Sequence, residues 1–234
     1  MIRKLEWDSH FFGINTGTVS VEKIEDLNED ELNTFDLVYV FANTATDEQR
    51  FKQFSGKLFM ADEKLTYIKH LNVQNERVPE IMSIPADAIL NDRLVSLAWQ
   101  AGEYSRFRLD PLLPDSKFKE LYSLWIENSV KREIAEEVFV YNENGFDMGM
   151  VTLGIKKGVP DIGLIAVDKQ YRGSGIGMKL IQSAERWALL EKKLNHIQVV
   201  TQGLNKDACR FYEKNGYTQA SKQYIYHWWT NKNS

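Results

Sequence analysis

The sequence predicts an α/β (α+β) chain, a mixed sheet flanked by helices, with a smaller α/β domain at its N-terminal side. Three stretches carry the prediction. An apolar strand, Asp161-Ile-Gly-Leu-Ile-Ala-Val167, leads through Asp168-Lys-Gln-Tyr171 into the turn Arg172-Gly-Ser-Gly-Ile-Gly177. An amphipathic helix follows at once: Ile176, Leu180, Ala184, Trp187 and Ala188 recur at helical spacing, and Lys179, Gln182, Glu185 and Arg186 face elsewhere. Upstream, apolar runs at 138–141 and 148–153 flank Asn142-Glu-Asn-Gly-Phe146, a hairpin signal.

In chain order, the first half reads as short strands around 17–22, 37–41, 57–62 and 65–71 and helices at 28–34, 47–54 and 92–104. Pro111 and Pro114 bracket Leu112-Leu113 ahead of an amphipathic helix at 116–130. The expected division is therefore 1–112 and 113–234. After the hairpin and the glycine turn, the long helix runs to about Leu194-Asn195. A strand at 196–201, a short helix at 206–214, the turn Asn215-Gly216-Tyr217 and an aromatic strand at 223–229 complete the chain. There is no internal repeat.

Composition bounds the function. Over 234 residues, 43% hydrophobic and 12% aromatic content is enough for a packed core, and a net charge of −4 with mixed signs argues against a nucleic-acid partner. The single cysteine, Cys209, excludes an internal disulfide and fits a reducing cytoplasm. No apolar run reaches signal-peptide or membrane-span length, so the expectation is a cytoplasmic protein without membrane contact. Four scattered histidines and one cysteine offer no metal-ligand cluster.

A glycine-rich turn from a strand into a helix aims backbone N–H groups at one spot, which is how proteins cradle a diphosphate. Glycines let the backbone approach closely and take positive φ. The spacing Gly173, Gly175, Gly177 is not the dinucleotide fingerprint, whose third glycine would fall at Met178. Nor is it a Walker loop, which ends Gly-Lys-Ser/Thr.

The turn resembles motif A of the GNAT acetyltransferases, R/Q-x-x-G-x-G/A, in two overlapping registers from Gln170 and from Arg172. Downstream, Asn205-Lys-Asp-Ala208-Cys-Arg-Phe211-Tyr212-Glu-Lys-Asn-Gly216-Tyr217 resembles that family's motif B, and the likeness covers about residues 116–234. The resemblance implies the GNAT acyl-CoA N-acyltransferase fold and a co-substrate, acetyl-CoA or a short acyl-CoA such as 3-hydroxybutyryl-CoA, with no metal. It implies that Arg172, Gly173, Ser174, Gly175, Ile176 and Gly177 hold the diphosphate. It also implies that backbone N–H groups of Ile165, Ala166 and Val167 bind the thioester oxygen, on a strand that splays from 196–201.

Asn205, Ala208, Cys209 and Tyr212 fall at i, i+3, i+4 and i+7, one helix face. Asn205 and Ala208 would then meet pantetheine, and Tyr212 would be the general acid for the departing thiolate. Cys209 lies mid-helix without a base beside it in sequence and reads as a packing residue. For the general base, His10, Glu127 and Glu137 are candidates and none is compelling, so water could suffice. His70, His196 and His227 read as ordinary hydrogen-bonded histidines in or beside strands.

The first half adds Leu5-Glu-Trp7-Asp8-Ser9-His10-Phe11-Phe12-Gly13, Ser105-Arg-Phe-Arg108 and Trp125-Ile-Glu-Asn-Ser129. These resemble the dTDP-fucosamine acetyltransferase group, which acetylates an amine on a dTDP-linked 6-deoxy sugar. The implied substrate is a small nucleotide sugar with its amine at C3 or C4, used for surface polysaccharide or lipopolysaccharide. Aromatic rings would stack the base and guanidinium groups would grip the diphosphate. Candidates are Phe11, Phe12, Arg106, Arg108, Trp125, Asn128 and Tyr224. Phe11 and Phe12 could equally anchor the first strand, and Arg106 and Arg108 alternate in an expected extended segment, facing the same way. The rival readings are a GNAT enzyme acting on a protein or polyamine amine and a non-catalytic acyl-CoA-binding module. The aromatic strand at 223–229 could serve a homodimer contact or the core.

Overall fold

The computed structural model describes residues 1–72 and 77–231. In chain order the elements are β1 (Arg3–Lys4), α1 (Glu6–Phe12), β2 (Thr16–Val21), α2 (Glu29–Leu32), β3 (Leu37–Ala42), β4 (Lys57–His70), β5 (Ile81–Ser83), α3 (Asp92–Ala101), α4 (Arg106–Leu109) and α5 (Asp115–Val130). Then come β6 (Glu137–Glu143), β7 (Phe146–Lys156), β8 (Val159–Val167), α6 (Ile176–Arg186), β9 (His196–Gln202), α7 (Lys206–Lys214) and β10 (Thr218–Trp229). Contacts group the chain into two compact units, neither contiguous: Met1–Leu65 with Gln202–Leu204 and Ser221–Ser234, and Thr66–Thr201 with Asn205–Ala220.

In the first unit the strand order is β1-β2-β3-β10-β4, with β2 parallel and β10 antiparallel to β3. Leu37, Val38, Tyr39 and Val40 are all buried, as a central strand covered on both faces requires. Ile24, Leu32, Leu58, Tyr226 and Trp228 pack against that strand's core. The aromatic strand is thus interior from Ile225 to Trp228, with His227 fully buried beside Tyr39.

The opening motif, given no element in the sequence reading, is the helix α1. Gly13 ends α1 with φ +71° and donates its N–H to the Ser9 carbonyl. Ser9 Oγ donates to the Leu5 carbonyl at 2.7 Å and accepts the Thr16 N–H at 3.0 Å, tying the helix to β2. Two aromatics in succession before a glycine carry no strand period, and the left-handed glycine cap is the signal that decides.

In the second unit the order is β4-β9-β8-β7-β6-β5. Asn144 (φ +53°) and Gly145 (φ +80°) close the β6–β7 hairpin, and Lys157 (φ +51°) and Gly158 (φ +81°) close β7–β8. Positive φ at both central residues is the two-residue turn whose twist suits a hairpin. Asn91 caps α3 by accepting the Leu94 N–H at 2.9 Å. That helix stops at Ala101, short of 104, and a Cβ on Gly102 would meet the Tyr122 ring of α5 at 2.4 Å. The two expected strands at 57–62 and 65–71 are one, β4. β5 was not expected; three residues are too few for a period to register.

Candidate active site

β7 and β8 pair in two stretches: Lys156↔Val159 through Leu153↔Ile162, and Val151↔Ile165 through Gly149↔Val167. Between them Thr152 stands opposite both Gly163 and Leu164, a β-bulge. One extra residue reverses which side each later backbone group faces. Val159 and Lys156 flank a two-residue turn, so odd-numbered groups of β8 face β7 before the bulge. After it the even-numbered groups do: Leu164 N–H donates to Thr152 Oγ1 at 2.8 Å and Asp168 N–H to the Met148 carbonyl at 2.9 Å. Ala166 N–H therefore faces β7, and the N–H groups of Ile165 and Val167 face the other way.

The other side is open. β9 joins β8 only at Asp161↔Gln198 and Ile162↔Val199, and past these pairs the strands part. A wedge lies between them, and its β8 wall carries the Ile165 and Val167 N–H groups. The expectation for Ala166 is corrected on this ground, because its N–H is directed to the β7 ladder and its side chain is buried. Val167 O, on the wedge side, accepts from Arg172 Nε at 3.1 Å. That bond ties the guanidinium to the end of β8 through Nε, which leaves its two terminal nitrogens outside this bond.

Arg172, Gly173, Ser174 and Gly175 are exposed. Gly173 and Gly175 take φ +82° and +86°, and a Cβ on either would meet nothing within 4 Å, so backbone conformation rather than space calls for glycine. Gly175 is the N-cap of α6 and no side chain caps that end. The first-turn N–H groups, without intrahelical partners, are left for a ligand. Ser174 Oγ donates back to the Tyr171 carbonyl at 2.5 Å. Ile176 is buried and seats the helix. Gly177 differs from the other two: its φ is ordinary, and a Cβ there would lie 3.3 Å from Phe211 of α7. Its glycine serves the packing of α7 against the first turn of α6.

The root of the loop is held by residues that the sequence reading passed over. Asp168, buried, caps the turn Lys169–Tyr171 by accepting the Gln170 N–H at 2.9 Å, and pairs with Arg93 of α3 at 3.2 Å. Lys169 N–H donates to Gln100 Oε1 at 3.0 Å, and Lys169 Nζ to Glu103 Oε1 at 2.8 Å. An aspartate directly after an apolar strand and before a turn was the available signal for a cap.

On α7, Asn205 is the N-cap, and its Oδ1 accepts the Ala208 N–H at 3.1 Å. One lone pair of that oxygen serves the helix, and the amide nitrogen is a donor that a ligand can meet. Ala208 is half-buried. Tyr212 is 3% exposed, among Tyr67, Phe211 and Tyr217 at ring-centroid separations of 5.8, 5.5 and 5.8 Å. Burial pushes its phenol well above the ordinary tyrosine pKa, so it carries its proton throughout the neutral range. Tyr67 OH donates to Glu213 Oε1 at 2.9 Å, and Cys209 is buried beside these rings as a packing residue.

The substrate candidates divide between the units. In the first, Phe11 stacks on Trp7 at 5.0 Å, Phe12 meets Phe11 edge-on at 4.9 Å, and Tyr224 lies under Lys222 Nζ at 4.8 Å. In the second, Arg106 and Arg108 lie on α4, a single helical turn capped by Ser105. Two residues apart on a helix they diverge, so the expected extended pair is corrected. Arg108 pairs with Asp115 and lies 5.5 Å from the Phe118 ring, and Arg106 lies 4.4 Å over Phe107. Trp125, 40% exposed, and half-buried Asn128 are i, i+3 neighbours on α5.

Of the base candidates, His10 is exposed on α1. Glu127 is paired with Lys131 at 2.6 Å, and Glu137 accepts from Arg132, Ser83 and the Val138 N–H. His70 and His196 meet edge-on at 4.6 Å. Among the described residues no cluster of three or more metal-ligating side chains occurs, and no helix is long and apolar enough to cross a membrane.

The parted strand pair, the uncapped glycine-rich helix start and the buried tyrosine of the next helix all lie within one stretch of the chain. The family model described as Acetyltransferase (GNAT) domain matches residues 135–219, the stretch that contains all three. Residues 135–219 are a GNAT acetyltransferase domain. The GNAT domain makes the chain an acyl-CoA-dependent N-acyltransferase. The chain is 27% identical over 229 residues to a dTDP-fucosamine acetyltransferase of Escherichia coli O6:H1, spanning 95% of this chain and 96% of that protein. Two solved structures share the fold. One is a conserved protein of unknown function from Staphylococcus epidermidis, with TM-score 0.63, 16% identity, and 97% and 91% of the two chains covered. The other is a GCN5-related N-acetyltransferase from Sphaerobacter thermophilus, with TM-score 0.51, 15% identity, and 82% and 59% covered.

Proposed function

We propose that this GNAT enzyme transfers an acetyl group, or a short acyl group such as 3-hydroxybutyryl, from acyl-CoA to the amine of a dTDP-linked 3- or 4-amino-deoxy sugar for surface polysaccharide synthesis. The observation that carries the acceptor is the likeness to the E. coli dTDP-fucosamine acetyltransferase, which runs through the first unit as well as the GNAT domain. Trp125 and Asn128, i, i+3 neighbours on α5 in the second unit, are the candidate contacts to the nucleotide sugar.

In the reaction a neutral amine attacks the thioester carbonyl, the C–N bond forms, and charge grows on the carbonyl oxygen. The N–H groups of Ile165 and Val167 stabilise that oxygen. The C–S bond then breaks, and Tyr212 gives its phenol proton to the departing sulfur. The amine's surplus proton goes to water, and water restores the proton of Tyr212. The first-turn N–H groups of α6 and the Arg172 guanidinium hold the CoA diphosphate.

The test is thermal shift with CoA together with dTDP, UDP or GDP, followed by mass spectrometry of a dTDP-amino sugar incubated with acetyl-CoA. Stabilisation by CoA and by dTDP alone among the nucleotides, and a mass gain of one acetyl group, are expected. Stabilisation by CoA with no response to dTDP removes the sugar reading and leaves the acyltransferase.

A further inference from the structure

We propose that Thr152 is a positioning residue for acyl transfer: its hydroxyl holds the bulge that turns the Ile165 and Val167 N–H groups into the wedge. The inference rests on the reading of those two groups as donors to the thioester oxygen.

A bulge removes one N–H from the ladder, and a buried N–H without an acceptor is costly. Here that group is Leu164 N–H, and the acceptor is Thr152 Oγ1 at 2.8 Å, with Thr152 only 2% exposed. The bulge therefore carries its own acceptor, supplied by the residue it faces. Gly163 completes the fit, because a Cβ there would sit 2.8 Å from the same hydroxyl. Thr152 and Gly163 thus act together: the hydroxyl occupies the space that the glycine leaves, and it takes the one N–H the ladder cannot. Without the bulge the backbone would keep its alternation, and Ile165 and Val167 would send their N–H groups into the β7 ladder instead of the wedge. Neither residue touches the ligand in this account. Thr152 acts through the direction of two backbone groups, so its loss should separate carbonyl polarisation from CoA binding, which belongs to the loop beyond Val167.

The experiment is isotope-edited infrared spectroscopy of acetyl-CoA labelled with carbon-13 at the thioester carbonyl, with its Kd measured by calorimetry on the same samples. Wild-type protein is expected to shift the carbonyl band to lower frequency. Thr152→Val, which keeps the shape and loses the acceptor, is expected to bind acetyl-CoA within about threefold of wild type and to lose at least half of the shift. Thr152→Ser is expected to restore it. Thr152→Ala removes the hydroxyl without setting a methyl against the N–H and is expected to show the same loss, so either variant decides if the other does not fold. A folded Val or Ala variant with the full wild-type shift overturns the role of Thr152. A wild-type complex that binds acetyl-CoA without any shift overturns the donor reading itself, and binding by wild type keeps the acyl-CoA site in either case.

Discussion

Arg93 of α3 pairs with Asp168 across 3.2 Å, and Asp168 caps the turn that delivers the chain to the diphosphate loop. The aspartate side chain is 8% exposed and the arginine 36%, so the carboxylate depends on its partner more than the guanidinium does. Gln100 and Glu103, at the end of the same helix and just past it, hold Lys169. The loop is therefore braced from α3, a helix well upstream in sequence.

Removing the brace should loosen the loop without touching the ligand. Arg93→Met leaves a buried carboxylate with one fewer partner, at a cost of about 1–3 kcal/mol to the turn. CoA affinity measured by calorimetry should fall by roughly three- to tenfold. An unchanged Kd would mean that the loop keeps its form without α3.

The glycines of the loop should not be equivalent. Gly175→Ala forces φ +86° on a side-chain-bearing residue, costing about 1–2 kcal/mol where it can be held at all. Gly177→Ala meets only the ring edge of Phe211 at 3.3 Å, which a small movement relieves. Thermal denaturation should rank Gly175→Ala as the more destabilised, and CoA titration should rank it the weaker binder. The reverse order would contradict the separate roles given to them.

Tyr212→Phe keeps the buried ring and removes the proton. Acyl transfer at saturating acyl-CoA should fall by about 10²-fold or more, with CoA affinity near wild type. Unchanged turnover would return Tyr212 to a packing role and reopen the reading of the domain as a binding module.

Burial of Tyr212 and Tyr217 raises both phenols above the ordinary value of 10.0. Below about pH 9 both are neutral folded or unfolded, and stability does not depend on them. Above it the unfolded chain loses protons that the folded chain keeps, so stability must fall as pH rises toward the folded values. Urea denaturation should give a flat stability from pH 8 to 9 as far as these groups matter. Above pH 10 the decline should approach about 1.4 kcal/mol per unit for each phenol, and Tyr212→Phe should lower that slope.

Much of the second unit was legible in the sequence because its signals are periodic or positional. Asn144-Gly145 and the apolar runs around it dictate a hairpin, and the face from Ile176 to Ala188 is buried as its spacing requires. Gly173 and Gly175 stand where the backbone turns left-handed. What escaped was set by contacts between distant residues. The Thr152–Leu164 bond depends on a register shift that no local pattern announces. The braces from Arg93 and Gln100 join residues about seventy positions apart in sequence, on groups that look like ordinary surface charge and amide. α1 and α4 are short and are fixed by their caps, Gly13 and Ser105, more than by period. The opposed setting of Arg106 and Arg108 follows from that one helical turn.

The most direct measurement is a crystal structure of the protein with acetyl-CoA. The diphosphate should lie against the backbone N–H groups from Gly173 to Met178, with pantetheine entering between β8 and β9. The thioester oxygen should lie within hydrogen-bonding distance of Ile165 or Val167 N–H. An empty wedge with the ligand bound at another surface would contradict the account.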